Sequence, residues 1–293
     1  MAWPRLGKIG PLNGVALVNA IAFGRDVEVT PDVRFSEGRR GLLDVYAPRN
    51  AAEAPMVVFF YGGGWEAGRR ADYRFAAMAL ARRGIVTVVP DYRLYPDVRF
   101  PDFIADGAKA VRWARRNATE FGADPGLIFL VGHSAGAYIA AMLALDKSRL
   151  DPASQQALAG MVGLAGPYDF LPLQSDVLKR IFAPAGGDLR SSQPISYARG
   201  DAVPMLLVTG LRDGTVKPEN SRRLAARVRA MGGRAETRFY KHVDHTMVLG
   251  AFSPLLRLVA PSLRDTLAFI GKRSDIVRPR PGSPRYFQPS RLA

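Results

Sequence analysis

The chain has 293 residues, nearly half of them hydrophobic, which suffices for one large core, and it contains no cysteine. Without thiols, disulfides, thiolate metal sites and a cysteine nucleophile are excluded, and the three histidines show no ligand-spaced pair, so no catalytic metal is expected. Forty-one Lys and Arg against 26 Asp and Glu give a formal charge of +15; the charges are spread over stretches such as Arg222 to Arg229 and the carboxyl-terminal end, without a nucleic-acid module, so a solvated arginine-rich surface is expected and no nucleic-acid partner.

In chain order, residues 1–40 form an amino-terminal segment in which Leu12 to Phe23 is mildly apolar. Asn13 and Asn19 interrupt it, and it is too short to span a membrane. Arg5 and Lys8 ahead of it and Ala20-Ile21-Ala22 at its end suit a secretory leader; a cytoplasmic protein is the expectation, a secreted or periplasmic one the alternative. Met56 to Phe60 reads as a buried strand running into Tyr61-Gly62-Gly63-Gly64-Trp65. Consecutive glycines let backbone N–H groups converge, as an oxyanion hole requires. A second strand is expected at Ile85 to Val89, and Ile104, Ala108 and Val111 give the stretch from Phe103 to Arg116 a core-facing helical stripe.

The apolar run Leu127 to Val131 leads into Gly132-His133-Ser134-Ala135-Gly136. In this G-x-S-x-G pattern a sharp strand-to-helix turn exposes the serine hydroxyl at the end of the strand, and residues 135–144 are small, good helix formers. Further strands are expected at Met161 to Ala165, Met205 to Gly210 and Arg238 to Tyr240, with a last helix over Leu263 to Ile270. Alternating strands and helices predict an α/β chain with a mainly parallel sheet covered on both faces. We expect a single catalytic domain over residues 1–273 and a basic Pro/Arg-rich tail at 274–293 outside it. The Pro-, Gly- and Ser-rich insertion at 171–200 reads either as a substrate-covering segment or as a solvent-exposed connection.

Tyr61-Gly62-Gly63-Gly64-Trp65 resembles the His-Gly-Gly-Gly-Trp loop of the α/β-hydrolase fold, in its hormone-sensitive-lipase-like and esterase/formamidase (BD-FAE-like) branch. Asp91-Tyr92-Arg93-Leu94, Phe100-Pro101, Asp106, Trp113 and Gly122-Ala123-Asp124-Pro125 extend the resemblance over roughly residues 40 to 270. The family's loop histidine is Tyr61 here, and a phenol can supply the same anchoring hydrogen bonds.

The resemblance implies Ser134 as nucleophile and the backbone amides of Gly63, Gly64 and Ala135 as oxyanion donors. Tyr240-Lys241-His242-Val243-Asp244-His245 is similar to the family's last loop, whose final histidine is the base. That points to His245, with His242 as the lesser candidate and His133 as a packing residue turned away from the nucleophile. The acid lies between serine and histidine in chain order. Asp213, in a G-x-x-D-x-x-V turn, fits it best; Asp169 comes second, and Asp201 and Asp244 read as solvated groups. The implied activity is that of a serine carboxylic-ester hydrolase acting on small, short-acyl esters through an acyl-enzyme, and no cofactor is expected because nucleophile, base and oxyanion donors are all in the chain. The alternatives are an aryl formamidase using the same triad and a non-catalytic binder of small ligands; self-association is left open.

Overall fold

In the computed structural model, which describes Asn19 and residues 24–277, eight strands form one sheet. They are β1 (Val27–Arg34), β2 (Leu42–Pro48), β3 (Ala54–Phe60), β4 (Val86–Pro90), β5 (Ala123–His133), β6 (Leu158–Leu164), β7 (Met205–Gly210) and β8 (Ala235–Tyr240). Their order across the sheet is β1-β2-β4-β3-β5-β6-β7-β8. Strands β4 to β8 and β3 pair in parallel, while β2 runs antiparallel to both of its neighbours. The central strands are unbroken apolar runs because both faces are covered. The six strands expected from the sequence are present. Strands β1 and β2 were not expected: β1 alternates exposed polar residues, contains Pro31 and has a register shift between Thr30 and Val33, so no apolar run marks it.

Among residues 24–277, eight α-helices connect or follow these strands: α1 (Arg74–Ala81), α2 (Asp102–Asn117), α3 (Ala135–Leu145), α4 (Pro152–Gln156), α5 (Asp176–Phe182), α6 (Glu219–Ala230), α7 (Met247–Gly250) and α8 (Ser262–Val277). On one face Phe269 of α8 meets Phe129, and Tyr73, just before α1, meets Phe59. On the other face α2 packs on α3, and all eleven residues of α3 are buried. The small side chains of α3 allow that fit between the sheet and its outer layer. Among the described residues no helix is long and apolar enough to cross a membrane.

The insertion at 171–200 is packed. It carries α5, capped by Ser175 Oγ accepting from Leu178 N at 3.2 Å, and buries Leu178, Ile181 and Phe182. The boundary expected at residue 274 falls inside α8, because nothing in Lys272 to Val277 breaks a helix before the residue preceding Pro279. The stretch Leu12 to Phe23, apart from Asn19, and residues 278–293 lie outside the described residues. Asn19 itself accepts from Phe75 N at 2.9 Å and donates to Ala71 O at 3.0 Å, at the start of α1.

Strand β3 has β4 on one side and β5 on the other, so the connections leaving β3 and β5 diverge. In a doubly wound sheet that divergence opens a crevice at the carboxyl ends of the two strands. The glycine loop follows β3, and Ser134 follows β5.

Candidate active site

Ser134 sits between β5 and α3 with φ 54° and ψ −120°, a sparsely populated conformation for a residue with a side chain. Gly136 explains why the turn can be so tight: a Cβ there would lie 2.0 Å from Phe60 O. The glycine loop lies against the serine, since a Cβ on Gly62 would fall 3.1 Å from Ser134 Cβ. Gly63 and Gly64 both take positive φ, at 134° and 63°. The amides of Gly63, Gly64 and Ala135, expected as oxyanion donors, donate to no backbone carbonyl among the described residues.

Two later loops bring the acid and the base. After β7, Asp213 Oδ1 accepts from Thr215 N at 2.9 Å and Val216 N at 2.8 Å, which turns Oδ2 outward. After β8, His245 places Nδ1 2.8 Å from Asp213 Oδ2 and Nε2 2.9 Å from Ser134 Oγ. A carboxylate can only accept, so Nδ1 carries the proton and Nε2 is free to take one from the serine. The Asp213 side chain is fully buried, while that of His245 is 13% exposed. The two loops are laced together by Leu211 N to Tyr240 O at 2.9 Å and Arg212 N to Val243 O at 3.0 Å.

The other candidates lie elsewhere. His242 is exposed on its loop. Asp169 pairs with Arg223 at 2.7 Å. Asp201 is held by Arg199 at 2.7 Å and by Lys147. Asp244, expected as a solvated group, instead shapes the turn that carries His245, its Oδ1 accepting from Thr246 N and Met247 N at 2.9 Å each. Partial burial works against its ionised form, but those hydrogen bonds prevail and hold its pKa below the ordinary value.

His133, expected as a packing residue turned away from the nucleophile, has its ring 5.0 Å from that of His245. Its Nε2 lies 3.0 Å from His245 O. A carbonyl only accepts, so Nε2 is the donor and the buried Nδ1, which has no partner, is bare. Burial, reinforced by the neighbouring His245, pulls the His133 pKa down to about 3. His133 is therefore a neutral strut under the backbone of His245, a role that no spacing in the sequence announces.

The Tyr61 phenol anchors the glycine loop. It donates to Asp91 Oδ1 at 2.8 Å, receives Arg40 Nη1 at 3.0 Å, and stacks on Tyr92 and Tyr73 at 4.7 and 5.3 Å. Asp91 in turn accepts from Arg70 N at 2.9 Å and from Arg70 Nη1 at 2.5 Å. Arg70 also grips Asp44 of β2 at 2.7 Å and reaches Asp32 of β1. The two unexpected strands thus carry carboxylates that hold Arg70, which in turn holds Asp91, the anchor of Tyr61. Arg93 and Asp106 form a bidentate pair at 2.8 and 2.9 Å. Trp65, directly after the loop, is buried among Tyr138, Phe182 and Phe170, with ring centroids at 5.2, 5.1 and 6.3 Å. Among the described residues no group of three or more His, Asp or Glu could hold a metal ion.

Solved structures share this architecture. A truncated carbohydrate esterase from gut microbiota superposes with a TM-score of 0.74 at 19% identity, covering 86% of this chain and 98% of that one. The apo form of Thermogutta terrifontis esterase 2 does so at 0.69 and 25% identity, covering 87% and 96%. These are α/β-hydrolase esterases, and the fold here is theirs. In sequence the chain is 30% identical to Esterase LipC of Mycobacterium tuberculosis over 68% of its own length, and 27% identical to the isoprenylcysteine alpha-carbonyl methylesterase ICME of Arabidopsis thaliana over 75%. It spans 55% and 57% of the lengths of those two proteins. The BD-FAE family model matches residues 43–228, nearly two-thirds of the chain and including the glycine loop, Ser134 and Asp213, and the protein therefore belongs to the BD-FAE family.

Proposed function

We propose that the protein is a serine carboxylic-ester hydrolase working through an acyl-enzyme. The observation that carries this reading is the continuous hydrogen-bonded chain from Asp213 through His245 to Ser134 Oγ. His245 Nε2 takes the hydroxyl proton as Ser134 Oγ bonds to the ester carbonyl carbon, and Asp213 stabilises the imidazolium that forms. The carbonyl oxygen, now negative, is received by the amides of Gly63, Gly64 and Ala135. When the tetrahedral intermediate collapses, the alkoxide leaves with the proton from His245. Water, deprotonated by the same histidine, then attacks the acyl carbonyl and frees Ser134. The esterase names of the relatives support the ester as substrate class.

A short acyl group is favoured by the aromatic filling beside the elbow. Tyr138 lies one helical turn from Ser134, and Trp65, Tyr138 and Phe182 are all fully buried against one another. Space taken up by rings does not accept a long alkyl chain. In a panel of p-nitrophenyl esters from acetate to octanoate, acetate and butyrate are expected to exceed octanoate in kcat/KM by roughly tenfold or more, since each methylene that does not fit costs about 1–3 kcal/mol. Equal rates across the panel would refute the short-acyl preference. Faster turnover of N-formylkynurenine than of any ester would replace the esterase reading with a formamidase.

A further inference from the structure

A cavity of about 450 Å³ opens at the far end of the sheet from Ser134, beside the first residues of β7 and β8, Met205 and Ala235. Asp213 and His245 follow the opposite ends of these two strands, so at about 3.3 Å per residue the cavity lies roughly 20 Å from the triad. Pro204 contributes apolar wall, with Met205 and Phe269 buried beneath it. Arg229, Arg234, Lys272 and Arg273 contribute four positive charges.

The one acidic residue lining the cavity, Glu236, is engaged with Arg238 at 3.1 Å. Other arginines of this chain, such as Arg70, Arg93 and Arg149, meet carboxylates within 3 Å. Among the described residues none of the four cavity cations forms an ion pair. Arg229 Nε donates to Ala235 O at 2.7 Å, and the buried Nε of Arg273 has no partner. Burial and the adjacent Arg234 charge lower the pKa of Arg273, with the Glu236 carboxylate opposing them in part. Residues 1–18, 20–23 and 278–293, outside the described set, contain no Asp or Glu, so they supply no acidic side chain to neutralise the cluster. Residues 278–293 instead add Arg278, Arg280, Arg285 and Arg291 directly after α8.

We propose that this cavity is a binding site, separate from the triad, for a small organic phosphate carrying two or more negative charges. Its phosphates would be met by Arg234, Lys272 and Arg273, and its apolar part would rest on Pro204 and the aliphatic stems of the lining cations. Guanidinium forks match phosphate oxygens, and the apolar wall separates this site from a flat basic surface that would take inorganic phosphate equally well.

Isothermal titration calorimetry of the full chain with ATP tests the assignment, with pyrophosphate and adenosine as parallel probes. ATP is expected to bind at low salt and to lose about tenfold or more in affinity as salt rises from about 50 to 300 mM. Pyrophosphate should bind more weakly than ATP, and adenosine not at all. Arg234→Glu combined with Arg273→Glu should weaken ATP at least tenfold while leaving p-nitrophenyl acetate turnover unchanged. Should that variant fail to fold, Arg234→Gln with Lys272→Gln, checked by thermal melting, serves in its place. No binding of ATP by the parent, unaltered binding by a folded variant, or equal binding of adenosine would overturn the proposal. A single-stranded RNA oligonucleotide that binds more tightly than ATP, with the same sensitivity to the variants, would overturn it in favour of a nucleic-acid surface.

Discussion

Ser134→Ala is expected to lower ester turnover by about a millionfold, with thermal unfolding close to that of the parent, because one oxygen is removed from a turn whose backbone is held by other contacts. His245→Ala should be comparably inactive, since without the imidazole the serine keeps its proton. Asp213→Asn should cost about 10⁴ in kcat by allowing the wrong tautomer of the histidine. His242→Ala should retain nearly all activity, its side chain being exposed on the loop. Steady-state rates on p-nitrophenyl acetate, measured on variants matched for melting temperature, check all four. Substantial turnover by Ser134→Ala, or a dead His242→Ala beside an active His245→Ala, would sink the assignment.

The largest stability effect is expected at Arg70. Its side chain is 15% exposed and faces Asp44 and Asp91, which are 9% and 7% exposed. Arg70→Met would leave both carboxylates buried with less compensation, at a cost of about 3–5 kcal/mol. Arg223→Met, which removes a half-exposed partner of Asp169, should cost about 0–1 kcal/mol. Urea unfolding midpoints of the two variants give the comparison. Equal midpoints would mean that the β1–β2 carboxylates do not depend on Arg70. Because Asp91 also holds Tyr61, a fall in kcat for Arg70→Met is expected beside the loss of stability.

The central strands were legible because burial on both faces writes them as continuous apolar runs. Ser134 was legible because the close approach of Gly136 to Phe60 O leaves little choice of residue at that position. His245 and Asp213 could be read only with the help of the family pattern, since two loop histidines and several loop aspartates look alike until tertiary contacts separate them. Strands β1 and β2 were hidden: β1 alternates Val27, Val29 and Val33 with polar residues, but Pro31 and the register shift interrupt that pattern, and in β2 Asp44 breaks the short apolar run of Leu42, Leu43, Val45 and Tyr46. The anchoring set of Arg70, Asp44 and Asp91 joins residues up to 47 positions apart, and His133 reaches a backbone carbonyl 112 positions away. Local sequence carries no trace of such long-range partners. The packing of the insertion against Trp65 was likewise invisible, since a segment rich in Pro, Gly and Ser reads the same whether it is solvated or folded over a neighbour.

The exchange of a histidine for Tyr61 in the glycine loop has a consequence for how the site responds to acid. Burial, with Tyr92 and Asp91 adding to it, pushes the Tyr61 pKa well above 10, so this anchor keeps one charge state throughout the range in which an imidazole titrates. His133 stays neutral down to about pH 3. A loop tied by a histidine would loosen on protonation at the same time as the general base was lost, and the two events would merge in one kinetic curve. Here neither Tyr61 nor His133 changes charge in the range in which an imidazole titrates, so the acid limb of log kcat/KM against pH is expected to rise at single-proton slope. A steeper limb would reveal a second titrating group. Mild acid should therefore silence this catalyst reversibly, as a switch that leaves the phenol mounting of its loop untouched.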